Sequence, residues 1–297
     1  MSAVESRIIV GVDGSEQSQA ALGWAIGQAE LVGADLVLAH TWNPDSYATP
    51  AMAGAVPDMI QAGALNDEAE ELAQAWLDDL VTATATRTTA SVSGVLASGS
   101  PAGHVLDLSA EAIMVVVGSR GRGGLRSAVL GSTSQQIAHH AQCPVVVVRD
   151  SSPTSGHQVV VGVDGSPASL AALREAFAQA KLRGASLLMV HAWSTSFAGT
   201  LVNSGQDFDR VRASEVDEGW ALLNQSLAEL QATDQSVEII ERLEQASPAA
   251  AIIEASKEAV LTVVGSRGRG GFAGLVLGSV SGSVLAHADS AVMVIRA

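Results

Sequence analysis

The sequence predicts an α/β protein made of two tandem doubly wound domains, each with a five-stranded parallel sheet and helices on both faces. Three observations predict this fold. The chain has 297 residues, which suits two domains of roughly 150 residues each. Long segments of the sequence occur twice. Within each copy, short β-branched apolar runs alternate with helical patterns, which is typical of parallel sheets with right-handed crossovers.

The repeat is a duplication of a whole domain. A shift of 151 residues superposes the first VGVDGS, from Val10, on the second, from Val161, and from Ser100 onward the shift is 147. A solenoid would repeat every 20 to 50 residues or so, and is excluded. A polar segment with proline and glycine, RDSSPTSGHQ, lies between the copies. We therefore predict domains at residues 1–150 and 158–297.

The first half of each repeat supplies the central strands. RIIVGV is a continuous apolar run, as expected for a parallel strand buried on both faces. A helix follows from about Glu16, and Gly33 and its counterpart Gly184 suit the C-terminal cap of this helix. ADLVLAHTW is the second strand, the segment from about Pro57 to Ala85 is mainly a second helix, and TTASVSGVLA is the third strand.

The second half of each repeat completes the sheet. SPAGHVLDLSAE begins a helix with Ser100 as N-cap and Pro101 at the first helical position. AIMVVVG is the fourth strand, and a glycine-rich loop follows it. STSQQIAHHAQ is a short helix and PVVVVRD is the fifth strand. Each repeat thus contains five strands that alternate with four helices.

Composition and charge exclude several classes of protein. The formal net charge of −15 disfavours binding to nucleic acid and to an anionic membrane surface. No apolar run approaches the roughly 20 residues that span a bilayer. The N-terminus carries an acidic residue where a signal peptide has basic ones, so we expect a cytoplasmic protein. The single cysteine, Cys143, excludes an intrachain disulfide and is expected to be a buried thiol.

The glycine-rich loop is the strongest functional signal. It reads GSRGRGGLRSAVLGS from Gly118 and GSRGRGGFAGLVLGS from Gly265, with the spacing Gly-x2-Gly-x9-Gly-Ser in both copies. The loop follows the fourth strand and its last Gly-Ser opens a helix. Backbone N–H groups and the helix dipole favour an anion there, and glycines let a phosphate approach the main chain. The serine is also expected to cap the helix.

Other interpretations of the loop remain open to different degrees. A glycine after a strand often serves only as a turn. RGRGG resembles a nucleic-acid-binding segment, which the acidic composition disfavours. No Walker P-loop is present. Gly268, Gly270 and Ala273 fit a dinucleotide fingerprint, but Arg126 occupies the position of Ala273 in the first repeat and the loop follows a late strand.

The VGVDGS strand end, the Gly-x2-Gly-x9-Gly-Ser loop and the CPVVVV strand resemble the universal stress protein family, in particular its two-domain ATP-binding members from mycobacteria and other actinobacteria. The resemblance covers almost the whole chain, although DSAVMVI replaces the final-strand sequence in the second repeat. It implies the strand order 3-2-1-4-5, in which strands one and four meet at a topological switch point where such sheets bind ligands.

The resemblance also implies an ATP site in each repeat. Asp13 and Asp164 would lie near the ribose or a phosphate-bound Mg²⁺ or Mn²⁺, or would serve only as helix N-terminal carboxylates. Adenine would contact the main chain at Thr41 and Ala192, and the loop arginines would neutralise phosphate or remain solvated. The expected contact residues are Gly11, Asp13, Thr41, Gly118, Ser119, Arg120, Gly121, Arg122, Gly123, Gly131 and Ser132 in the first repeat, and Gly162, Asp164, Ala192, Gly265, Ser266, Arg267, Gly268, Arg269, Gly270, Gly278 and Ser279 in the second.

We therefore expect a nucleotide-dependent regulatory protein with a protein partner that the sequence does not identify. The alternative is an enzyme, either a slow ATPase or an adenylating enzyme. We expect no catalytic residue: His40 and His191 are interpreted as structural, and adjacent His139 and His140 lack the spacing of a zinc site. The fifth strands should pair as an internal pseudo-dimer, with a homodimer as a further possibility for the assembly.

Overall fold

The computed structural model of the chain describes residues 6–42, 59–121, 130–149, 156–193, 208–231, 235–269 and 277–296. The protein divides into two compact units, residues 1–143 and 144–297. Both are α/β units in which helices cover a largely parallel sheet, and the predicted fold class is confirmed. No described helix is both long and apolar enough to cross a membrane.

The strands of the described residues are β1 Arg7–Gly11, β2 Asp35–Trp42, β3 Val92–Ser98, β4 Met114–Gly118, β5 Val145–Val148, β6 Gln158–Gly162, β7 Ser186–Trp193, β8 Ile239–Gln245, β9 Leu261–Gly265 and β10 Ala291–Ile295. The helices are α1 Glu16–Val32, α2 Met59–Ala85, α3 Pro101–Leu108, α4 Ser132–His140, α5 Pro167–Arg183, α6 Phe208–Gln231, α7 Pro248–Ser256 and α8 Ser279–His287.

The first unit contains a parallel sheet in the order β3-β2-β1-β4. Ile8 of β1 lies opposite Leu36 on one side and Met114 on the other. Both Ile8 and Val10 are fully buried. A continuous apolar run is therefore needed at this position, because helices cover both faces of the strand.

The second unit contains the sheet order β5-β10-β9-β6-β7-β8. Its last five strands follow the complete predicted order 3-2-1-4-5. β5, the fifth strand of the first repeat, pairs antiparallel with β10, with Val147 opposite Val292. The guanidinium of Arg149 donates to the carbonyl oxygens of Leu285 and Ala286 in the last turn of α8. Through this pairing β5, although it belongs to the first repeat in sequence, lies in the second unit.

The helix ends follow the sequence signals. Ser15 caps α1 and accepts a hydrogen bond from the N–H of Ser18. Gly33 ends the same helix in the left-handed conformation, with φ of 66°. Ser100 caps α3, whose first residue is a proline. These devices fix where the strands end and the helices begin, and so position the loops at the carboxyl edge of each sheet.

Candidate functional site

The turn after the first strand has the same construction in both repeats. The Oδ1 atom of Asp13 accepts hydrogen bonds from the backbone N–H of Ser15 at 3.0 Å and from its hydroxyl at 2.6 Å. Gly14, between them, has φ of 78°, which a side chain would disfavour. Ser15 then caps α1. The carboxylate of Asp13 therefore orders the N-terminus of this helix, whatever role it also has toward a ligand.

Asp164 links the corresponding turn to the glycine-rich loop of the second repeat. Its Oδ1 accepts from the N–H of Ser166 at 2.9 Å, and its Oδ2 accepts from the N–H of Arg269 at 3.1 Å. Burial raises the pKa of Asp164, but hydrogen bonds from Ser166, Ser169 and the N–H of Arg269 outweigh burial and lower the pKa below its ordinary value of 3.8. The carboxylate is therefore ionised at neutral pH.

Hydrogen bonds hold the two ends of the loop together. The N–H of Gly131 donates to the carbonyl oxygen of Ser119 at 2.8 Å, and the N–H of Gly278 donates to that of Ser266 at 2.7 Å. The hydroxyl of Ser134 also donates to the carbonyl oxygen of Gly118 at 2.6 Å. The end of the fourth strand and the start of the last helix are thus fixed relative to each other in each repeat.

The expected capping role of Ser132 and Ser279 is wrong. Each serine is the first residue of its helix, and the N-cap positions are the preceding residues, Gly131 and Gly278, which have extended backbones. A serine in the first turn is not in the N-cap position, whose side chain accepts the N–H of the second or third helical residue. No side-chain cap bond is made at these two helices. Both N-termini therefore keep donors that face the loop.

The first glycine of the motif, Gly118 or Gly265, is required by the packing of the fold. A Cβ on Gly118 would lie 2.7 Å from the backbone of Gln17, and a Cβ on Gly265 would lie 2.7 Å from the backbone of Ala168. Glycine is therefore needed at the end of β4 and β9 because the first turn of α1 or α5 lies directly against it. The fold alone explains these two positions, and their predicted contact with ribose stays a prediction.

The second glycine of the motif lies against the aspartate. A Cβ on Gly121 would lie 2.5 Å from Oδ2 of Asp13, and a Cβ on Gly268 would contact Oδ2 of Asp164 even more closely. The loop backbone and the carboxylate therefore meet in both repeats. Of the remaining predicted loop residues, Arg122, Gly123 and Gly270 lie outside the described residues.

A cavity of about 520 Å³ opens at the carboxyl ends of β6, β7 and β9 in the second unit. Nine predicted residues line it: Gly162, Asp164, Ala192, Gly265, Arg267, Gly268, Arg269, Gly278 and Ser279. Ser266 is buried at 3% exposure and does not line it. The structure thus brings the turn, both ends of the loop and the end of the second strand to one place.

Sequence reasoning missed the apolar wall of this cavity. The additional lining residues are Val163, Ser169, Val190, His191, Pro248, Ile252, Val264, Val280 and Ser281. Most are ordinary core residues of strands and helices. Six of them are apolar, namely Val163, Val190, Pro248, Ile252, Val264 and Val280. Their apolar type carried no signal in the sequence, because only packing determines which apolar residue faces a cavity rather than the core. Such a wall suits the flat apolar part of a small ligand.

Unlike the whole chain, the residues that line the cavity carry a net positive charge. Arg267 and Arg269 both line it, although the formal net charge of the chain is −15. The guanidinium of Arg269 lies against Gly165, next to Asp164. Partial burial and the like charge of Arg267 lower the pKa of Arg296. Local positive charge therefore collects beside the loop, which favours an anionic ligand there.

The histidines and the cysteine have structural contacts. The Nδ1–H of His40 donates to the carbonyl oxygen of Val12 at 2.8 Å, and that of His191 donates to the carbonyl oxygen of Val163 at 2.6 Å. Burial raises the pKa of the Cys143 thiol to about 11. Within the described part of the chain, no group of three or more His, Cys, Asp or Glu residues is placed to hold a metal ion.

Comparison with known proteins adds the family context. The model of the universal stress protein family matches residues 6–149 and 156–296. A universal stress protein of Mycolicibacterium smegmatis is 39% identical over 99% of this chain and 98% of its own length. One from Mycobacterium tuberculosis is 36% identical over 97% of this chain and 96% of its own. A solved universal stress protein from Archaeoglobus fulgidus shares the fold, with a TM-score of 0.69 at 22% identity and 98% coverage of both chains.

Proposed function

Because this chain belongs to the universal stress protein family, we propose that it is an ATP-binding regulatory protein of the stress response, with one ATP site in each repeat. The observation that carries the proposal is the cavity at the carboxyl ends of β6 and β9. It joins an apolar wall to a glycine-rich loop, two arginines and a helix N-terminus. This is the combination that a nucleotide with an apolar base and an anionic tail requires.

The described residues fit ATP in size and in chemistry. The cavity volume of about 520 Å³ falls within the range of about 300–1,000 Å³ for small-molecule sites. Gly278 precedes α8 and has no side chain to cover the free N–H groups of that helix. Gly268 leaves space beside Asp164 that a Cβ would fill. We propose that phosphates bind here, against Arg267 and the loop backbone.

The base and the metal ion take the remaining positions in the proposal. We place adenine against the main chain at Ala192 and the apolar wall at Ile252, both of which line the cavity. In the first repeat Thr41 takes the same place. Mg²⁺ or Mn²⁺ would be held mainly by the phosphates, with Asp13 or Asp164 as a single carboxylate ligand, because no described cluster of ligands could hold an ion alone. Such an ion would screen the phosphate charge.

The site is better suited to holding ATP than to cleaving it. Fast phosphoryl transfer uses fixed positive charge and a residue that positions the nucleophile. Neither lysine of the chain, Lys181 or Lys257, lines the cavity. Asp164 already accepts hydrogen bonds from its own turn and from the loop. We therefore propose that nucleotide occupancy, rather than turnover, carries the signal to a protein partner.

Calorimetric titration with MgATP tests the binding proposal. We expect two ATP molecules per chain, since both copies keep the aspartate and the glycine loop. At ATP concentrations about 100 times Kd, each site should add about 2.7 kcal/mol to the free energy of unfolding. Native mass spectrometry should then show two nucleotides per chain. A chain that binds no nucleotide at millimolar concentrations would refute the proposal.

Turnover distinguishes the regulatory protein from the alternative, a slow ATPase or an adenylating enzyme. We expect ATP to stay largely intact on the purified protein, with hydrolysis well below about 1 per second, the low end of ordinary enzymes. The assay follows phosphate release under single-turnover conditions. Hydrolysis at tens per second that disappears when Asp13 and Asp164 are both changed to alanine would identify an ATPase instead.

A further inference from the structure

The two repeats differ in what surrounds the histidine at the end of the second strand. In the second repeat His191 is partly exposed and lines the cavity. In the first repeat His40 is only 7% exposed. Both rings make the same hydrogen bond through Nδ1 to the carbonyl oxygen after the first strand. The backbone therefore holds both rings alike, and the difference must come from a neighbouring side chain.

The neighbour in the first repeat is Trp76 of α2. Its ring centre lies 4.5 Å from that of His40, with an angle of 55° between the two planes. This is within the range of separations for favourable contacts between aromatic rings. The indole therefore packs against the imidazole of His40.

The second repeat has a smaller residue at the corresponding position. Three buried positions of α2 and α6 coincide at one constant offset, which pairs Ala73 with Gly219, Leu77 with Leu223 and Thr84 with Leu230. The same offset pairs Trp76 with Leu222. Leu222 lies near Gly165, where a Cβ would be 3.2 Å from its Cδ1 atom.

This helix position therefore borders the Asp-Gly turn of the proposed nucleotide site. Gly219 lies against the ring of His191, since a Cβ there would be 3.3 Å from Cδ2 of the histidine. The second repeat thus presents a leucine and a glycine on the side where the first repeat presents a tryptophan and an alanine. The smaller leucine in place of the indole leaves more space around His191 than around His40.

We propose that Trp76 makes the two nucleotide sites unequal: it covers His40 and keeps ligand away from it, whereas His191 contacts the ligand in the second repeat. This inference rests on the proposed ATP binding and goes further by naming the residue that distinguishes the sites. The second site gains one polar contact from the imidazole. We expect it to bind MgATP about fivefold more tightly than the first, the effect of about one net hydrogen bond.

Chemical modification of the histidines tests the proposal without measuring affinity. The full-length protein is treated with diethyl pyrocarbonate, and peptide mass spectrometry follows each histidine separately. We expect His191 to react and to be protected by saturating MgATP. We expect His40 to react slowly with or without the nucleotide. Equal reaction of the two histidines in the free protein would overturn the proposal.

Three variants test the role of the indole. In Trp76→Leu, His40 should react at a rate near that of His191, and the first site should bind MgATP about fivefold more tightly, so that calorimetry resolves one class of site instead of two. Trp76→Phe keeps an aromatic cover and should behave as the wild type. Trp220→Leu, a matched change at a tryptophan with 41% exposure on α6, should change neither histidine.

The outcomes separate this inference from the proposed function. If no variant and no wild-type protein binds ATP, the proposed function fails. If the wild type binds two ATP molecules with equal affinity and Trp76→Leu changes nothing, only the inequality fails. If Trp76→Leu weakens the first site, the indole stacks on the base instead of covering the histidine, and the inference is wrong. Circular dichroism checks that each variant is folded.

Discussion

Replacing Gly268 with alanine adds one methyl group at the contact between the loop and Asp164. The added Cβ would lie closer to Oδ2 of Asp164 than real Cβ atoms approach other atoms. In the first repeat the same change at Gly121 places the Cβ 2.5 Å from Oδ2 of Asp13, and ordinary contact begins at 3.4 Å. The carboxylate must therefore retreat by about 0.9 Å in the first repeat, and further in the second.

This displacement should cost ATP affinity more than stability. The bond from the N–H of Arg269 to Asp164 is 3.1 Å long and cannot survive a shift of this size. It lies at an exposed position, where water can replace it, so the free energy of unfolding should fall by about 1 kcal/mol or less. The added methyl group also fills the space beside Asp164 in which the proposal places a phosphate. We expect ATP affinity at the second site to fall at least about tenfold, or 1.4 kcal/mol.

Calorimetry with MgATP measures the affinity, and thermal denaturation without ligand measures the stability. The matched control is Gly282→Ala in α8, where the nearest atom to the added Cβ is 3.9 Å away; it should bind two ATP molecules normally. Gly268→Val should abolish binding at its own repeat. If Gly268→Ala and Gly121→Ala both bind two ATP molecules with wild-type affinity, the loop does not hold phosphate and the reasoning is refuted.

Three further predictions concern the turn, the glycines and the fifth strand. The folded state lowers the pKa of Asp164, so the ionised carboxylate stabilises the protein above pH 3.8 and this stabilisation is lost as pH falls through the lowered pKa. In urea titrations, the difference in free energy of unfolding between the wild type and Asp164→Asn should therefore disappear at acid pH. The Cβ added by Gly23→Ala would have no atom within 4 Å, and this change in the interior of α1 should raise the free energy of unfolding by about 0.5–1 kcal/mol. Gly265→Ala should instead lower it by about 1–3 kcal/mol. If thermal melts gave the opposite order, the packing argument would be contradicted. A fragment of residues 1–152 should self-associate in analytical ultracentrifugation, because β5 loses its partner β10; a stable monomer at high concentration would count against this.

The sequence by itself determined the elements, their order and the loop that carries the proposed function. These are local properties. A continuous apolar run predicts a buried parallel strand, and Ser100 followed by proline marks the start of a helix because cap geometry depends on a few neighbouring residues. The duplicated loop is visible without any structure, since its glycines keep their spacing in both copies. The strand order came from the family resemblance, and the structure confirms it.

The tertiary structure alone decided which of these residues meet. Asp164 and Arg269 are 105 residues apart in the chain, and nothing in either local pattern predicts their hydrogen bond. The same holds for Trp76, which packs against His40. Such contacts depend on how strands and helices far apart in sequence pack together. Local periodicity shows which face of an element is buried, but not which distant side chain lies against it.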